Sequence, residues 1–201
     1  MKRLLIIAVV FLFAASITAA DGPTDKGSLI LEGNASFSSI SSDDMLGDES
    51  ATIINIVPTV GYFISPNLLI GADIEFLKVS YGDMSGSSFG IGPSVGYYFN
   101  MDKTRIDAKG AVYPYIKGFF IYTSSKLEAE EEEEEEEEGD EMEFTTTTFG
   151  FQGGMIFMLS NYVGANFSAR YSFDKFKPEG SDESADGNTL NIGVGITAFI
   201  Y

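Results

Sequence analysis

The chain has no cysteine and no histidine, and its 12 Lys and Arg stand against 30 Asp and Glu in 201 residues. Without cysteine there is no disulfide, no thiolate and no residue to carry a lipid behind an export signal, so a lipoprotein anchor is excluded. Without histidine the commonest general base is missing, and with both absent catalysis is not expected. The shortage of bases argues against nucleic acid, whose phosphates demand Lys and Arg. Long apolar runs are missing as well. After residue 20 the longest wholly apolar stretch is residues 155–159, far short of the roughly 20 residues that a spanning helix needs.

What the chain does have begins with an export signal. Lys2 and Arg3 form a basic start, residues 4–15 an apolar stretch, and Thr18-Ala19-Ala20 a small-residue cleavage site ahead of Asp21. Residues 1–20 are therefore expected to be a cleaved signal peptide and residues 21–201 one domain. Losing Lys2 and Arg3 takes the formal charge from −18 to −20.

Behind the signal the chain alternates between apolar and polar residues in segments separated by connections of two kinds. Long polar connections are read at residues 39–49, 81–88, 126–143 and 177–188, and short turns at 65–67, 100–104 and 160–161. Aromatic, Gly and β-branched residues are abundant, which suits strands. An antiparallel ribbon crossing a bilayer, with its loops outside and its turns inside, produces this long/short order. In lipid only helices or closed barrels satisfy their backbone groups. The expected fold is all-β: an eight-stranded antiparallel up-and-down transmembrane β-barrel in the outer membrane of a Gram-negative cell.

The strands are predicted at residues 27–38, 51–64, 68–80, 88–100, 110–124, 144–159, 162–174 and 188–201. On the seventh, Val163, Ala165, Phe167, Ala169, Tyr171 and Phe173 oppose Gly164, Asn166, Ser168, Arg170 and Ser172. The apolar faces are expected to point to lipid, with Phe and Tyr near strand ends as a girdle, and the Gly-, Ser- and Thr-rich faces to a narrow lumen. The fifth register is chosen so that Lys117 turns inward. Pro58, Pro93 and Pro114 fall inside strands, where each must remove a ladder bond or mark a bulge.

Several groups could carry chemistry. Glu32, Asp73, Glu75, Lys117 and Arg170 all face inward and are expected to form a lumen charge network, because unpaired buried charge is costly. The bland reading is a polar plug; the sharper one is a gated, mildly cation-favouring ion path. Glu128 and the nine glutamates of residues 130–138 repel one another, so residues 126–143 read as a disordered acidic extracellular loop. Its carboxylates suit divalent cations. Asp182 and Asp186, in Asp182-Glu183-Ser184-Ala185-Asp186-Gly187, echo half of a calcium loop, but Gly193 stands where the bidentate Glu would be. A hairpin turn ending in Asp186-Gly187 explains the run better. Gly90, Gly92 and Gly96 are no dinucleotide fingerprint, since no helix follows them. No metal site and no cofactor is expected.

The runs PTVGYFISPNLLIGADIEF at residues 58–76, IGPSVGYYFN at 91–100 and YPYIKG at 113–118 resemble strand–turn–strand units of bacterial outer-membrane β-barrel proteins of the OmpX/OmpA-barrel type. The resemblance covers essentially the whole mature chain and rests on structural motifs alone. The aromatic last strand is similar to the signal that this family presents to the barrel-assembly machinery, though Phe199 and Tyr201 alternate away from Ile200. A bulge near residues 193–195 would restore the usual pattern. Membrane-bound lipid A deacylases and acyltransferases share the architecture, but they resemble His-dependent enzymes that this chain cannot copy. The resemblance identifies no activity; the leading expectation is a barrel with outer-membrane lipid and lipopolysaccharide as partners and a structural or surface-interaction role. The alternatives are a small cation-favouring porin and a soluble periplasmic ligand-binding barrel.

Overall fold

Eight strands follow one another along the chain: β1 (Leu29–Ser41), β2 (Ser50–Ser65), β3 (Leu68–Tyr81), β4 (Met84–Tyr98), β5 (Val112–Ala129), β6 (Met142–Met158), β7 (Val163–Pro178) and β8 (Ala185–Ile200). This computed structural model describes residues 20–41, 50–81, 84–99, 107–129, 142–178 and 184–201. The expected signal peptide lies outside the described residues except for Ala20. Each strand pairs antiparallel with its neighbour in sequence, and β8 returns to β1 to close a barrel. Closure removes the sheet edges on which other chains could pair, except where the β1–β8 ladder ends at Ala35↔Val194.

The period-2 pattern sorts the side chains between two surfaces. Leu31, Phe37, Ile54, Val60, Phe76, Ile91, Phe120, Phe151 and Ile192 are exposed on the outside, while Glu32, Thr59, Asp73, Ser94, Lys117, Gln152, Asn166 and Arg170 are buried within. The inward and outward sets expected from alternation hold on all eight strands wherever side-chain burial is described, the fifth strand included.

The strand ends depart from expectation. Gly27 and Ser28 precede β1: Ser28 N–H donates to Asp25 O at 3.1 Å, and Gly27 takes a φ of 103° that suits only glycine. At the opposite end the strands run further than the apolar pattern does. The ladder carries Tyr81 onto Met84, so the connection expected at residues 81–88 shrinks to residues 82–83. Lys126 pairs with Glu143, and Lys175 with Asp186, so these residues belong to strands. The backbone can pair wherever its partner strand continues, even where both faces are polar. Residues 130–141, and with them the core of the acidic loop, lie outside the described residues.

Two prolines interrupt the ladder without a bulge. Between β2 and β3 the pairing passes from Ile56↔Phe76 to Thr59↔Asp73 around Pro58, and between β4 and β5 from Ile91↔Tyr122 to Ser94↔Phe119 around Pro93, with register unchanged. A proline has no N–H to give, so each site forgoes ladder bonds. At Gly92 an added Cβ would lie 1.7 Å from Phe120 O, so only glycine lets β4 and β5 approach there.

Candidate functional site in the barrel interior

The interior has three levels. At the turn end, Ile30, Phe63, Leu69, Tyr98, Tyr113, Ile156, Met158 and Phe199 form one buried cluster. Phe63 meets Tyr98 edge-on at 5.3 Å, and Tyr98 stacks on Tyr115 at 5.0 Å. The segment before β1 folds against this end: Thr24 Oγ1 donates to Asn67 Oδ1 at 2.9 Å, and Asn67 N–H to Thr24 O at 2.7 Å. Tyr201, just past β8, donates its hydroxyl to Asn161 O at 2.8 Å, and desolvation, with Tyr162 and Asp107 nearby, raises its pKa above the ordinary tyrosine value.

This aromatic layer was missed in sequence because the inward faces were read as small and polar. Its signal was there. Strict alternation places Phe63, Leu69, Tyr113 and Ile156 on the inner face. Phe199 is only 1 % exposed and faces in. The β7–β8 register is continuous through Gly193 and Gly195, so the bulge that would have turned Phe199 outward is not formed.

The middle level is ionic. Lys117 Nζ lies 3.2 Å from Asp73 Oδ1 and 3.7 Å from Glu32 Oε1, and all three side chains are fully buried. Lys117 also donates to Thr59 Oγ1 at 3.1 Å, while Asp73 Oδ1 accepts from Thr59 at 2.9 Å and from Ser94 at 3.0 Å. Asn34 Nδ2 donates to Glu32 Oε1 at 2.6 Å. Beside this cluster Gln152 donates to the Tyr115 hydroxyl at 2.8 Å, which donates to Asn166 Oδ1 at 3.2 Å. The inward alternation of β1, β3 and β5 thus converges on a single cation.

The loop end is open. A cavity of about 280 Å³ lies there, with Glu75, Arg170 and Asp174 among its lining residues. Asp174 Oδ1 accepts from Thr148 at 2.8 Å, and its Oδ2 accepts from Ser172 at 3.2 Å and Thr189 at 2.7 Å. Glu75 Oε1 accepts from Asn55 Nδ2 at 2.8 Å. The Arg170 guanidinium carbon sits 3.7 Å from the centroid of the Phe119 ring, a cation–π arrangement.

The five charges expected to form one network therefore divide. Glu32, Asp73 and Lys117 meet, whereas Glu75 and Arg170 stand at the floor of the open cavity. Among the described residues Arg170 makes no ion pair. Asp174 was missed because it closed the predicted seventh strand, although alternation places it inward. Of the two weak metal candidates, Asp186 is exposed in β8 opposite Lys175, and Asp182 lies outside the described residues.

A family model described as outer membrane protein beta-barrel domain matches residues 5–197. Among solved structures the chain is similar to Neisserial surface protein A, at 18% identity and a TM-score of 0.59, over 86% of this chain and 97% of that one. It is also similar to the outer membrane protein OprG of Pseudomonas aeruginosa, at 15% identity and a TM-score of 0.52, over 90% of this chain and 99% of that one. These likenesses concern the fold. No curated protein matches the chain in sequence.

Proposed function

The chain belongs to the outer membrane protein beta-barrel domain family, and from that premise we propose that it spans the outer membrane of a Gram-negative cell as a non-conducting barrel with a structural or surface-interaction role. The exposed belt of Leu, Ile, Val and Phe supports the bilayer as its surroundings, because a contiguous apolar surface of this extent is unfavourable in water. A soluble barrel would carry those side chains inside.

One observation carries the non-conducting reading. The interior is occupied twice over, by the Lys117–Asp73–Glu32 cluster and then by the aromatic layer around Tyr98. In an eight-stranded barrel the bore is just wide enough for side chains to fill. Planar-bilayer recording of the purified protein tests this: no stable conductance is expected. A steady cation-selective current, lost on Glu75→Gln, would instead favour a small channel.

The partners follow from the surroundings. Outer-membrane lipid meets the apolar belt, and lipopolysaccharide phosphates meet exposed Lys78, Lys126, Lys175 and Lys177, which lie outward at the loop end. Barrel-assembly machinery would read the last strand through its outward Ile196, Ala198 and Ile200. The acidic connections remain the proposed outward-facing surface, whose carboxylates would serve as ligands for divalent cations. No catalytic role and no nucleic-acid partner is proposed.

A further inference from the structure

We infer that the floor of the open cavity binds the anionic head group, a phosphate or carboxylate, of a small amphiphile, with Arg170 as its anchor. Arg170 is 7 % exposed, yet among the described residues neither Nη1 nor Nη2 has a hydrogen-bond partner. A buried guanidinium with unused donors is costly unless an acceptor of opposite charge meets it. Its position is fixed from one side by the Phe119 ring, which leaves the N–H edge for a fork-shaped contact with two oxygens.

The nearby acids do not serve as that acceptor. Both Asp174 oxygens accept from hydroxyls, and Glu75 is held by Asn55. Leu77, Val79, Phe144 and Phe176 line the same cavity and suit an apolar body. The volume of about 280 Å³ is close to the lower end of small-molecule sites, roughly 300 Å³.

The barrel wall is interrupted beside Arg170. The β1–β8 ladder stops at Ala35↔Val194, although β1 continues along β2 to Ser41↔Ser50 and β8 along β7 to Phe176↔Ala185. Ala35 and Ser36 on one side of this seam, and Asn191 and Gly193 on the other, line a void of about 20 Å³ that also touches Arg170. Within a bilayer, backbone groups left without a ladder partner need polar company, and a head group entering at the seam supplies it. The same anionic chemistry could also arrive as a free ion through the mouth.

Calorimetric titration of the full-length protein in nonionic detergent, with decyl phosphate and separately with inorganic phosphate, tests the site. Saturable binding of decyl phosphate is expected, weakened roughly tenfold or more by Arg170→Gln. Asn191→Asp serves as a second variant, since Asn191 lies directly opposite Arg170 across β7 and β8. Its new carboxylate would take the guanidinium for itself, so binding should fall similarly while heat-modifiable migration in detergent stays that of the wild type. Decyl phosphate binding without competition from inorganic phosphate supports the site with a membrane source; equal binding of both supports it with a soluble one. No saturable binding to the wild type, or unchanged binding to both variants, overturns it.

Discussion

Lys117 faces Glu32 and Asp73 from across the barrel, and none of the three side chains reaches solvent. Removing one partner of such a set leaves uncompensated buried charge, which is far worse than replacing the whole set by apolar groups. Lys117→Ala is therefore expected to destabilise the folded barrel by about 3–5 kcal/mol. The urea midpoint of the compact, heat-modifiable form in detergent measures the change. Combining it with Glu32→Gln and Asp73→Asn should recover much of the loss; an unchanged midpoint for the single variant would contradict the assignment. Alternation alone places these three residues inward. It does not show which of them meet, because that depends on the stagger of non-neighbouring strands around the barrel. For the same reason Arg170 was expected in the network and instead lies apart from it, over Phe119.

At the scale of strands, the barrel extends past its aromatic residues into a polar collar. On the outer face Lys78 follows Phe76, Lys126 lies beyond Tyr122, and Lys175 and Lys177 follow Phe173. These additional lengths were not legible, since Ser85-Gly86-Ser87 and Lys175–Lys177 have polar outward positions that read as loop chemistry. What continues the strands is pairing with a neighbour, a long-range property that no local pattern carries. On the proposed reading, the collar would set ammonium groups at the level of lipopolysaccharide phosphates. Lys175→Gln with Lys177→Gln is expected to weaken association with lipopolysaccharide by about 1 kcal/mol per lysine removed, with a matching fall in salt sensitivity. Co-sedimentation with vesicles containing lipopolysaccharide reads this out, and an unaltered, salt-insensitive bound fraction would remove the collar from the account.

For the whole molecule, the legible property was the period of 2 repeated eight times, because it follows from which side chains meet which surroundings. The long/short order of connections was only partly right, failing where β3 passes to β4 through residues 82–83 and where β4 passes to β5 through residues 99–111 in place of the short turn expected at 100–104. The outward aromatics form two levels, joined by pairs such as Phe76 with Phe89 and Phe149 with Phe173 toward the loop end, and Tyr97 with Phe99 toward the turn end. Along β4 the levels are separated by about 26–33 Å of chain at ~3.3 Å per residue, or about 20–25 Å of height at a tilt of ~40°, which matches the apolar band of outer-membrane barrels. The central claim is that this band touches hydrocarbon while the opposite face is sealed inside. Phe119 and Phe120 are adjacent on β5, the first 6 % exposed and the second 45 %, and the chain has no tryptophan of its own. Single Phe119→Trp and Phe120→Trp proteins in vesicles of bromine-labelled phosphatidylcholine provide the test: tryptophan at position 120 should be strongly quenched by the bromines and the one at 119 left bright. Equal quenching of the two, or quenching of both only by a water-soluble agent, would contradict it.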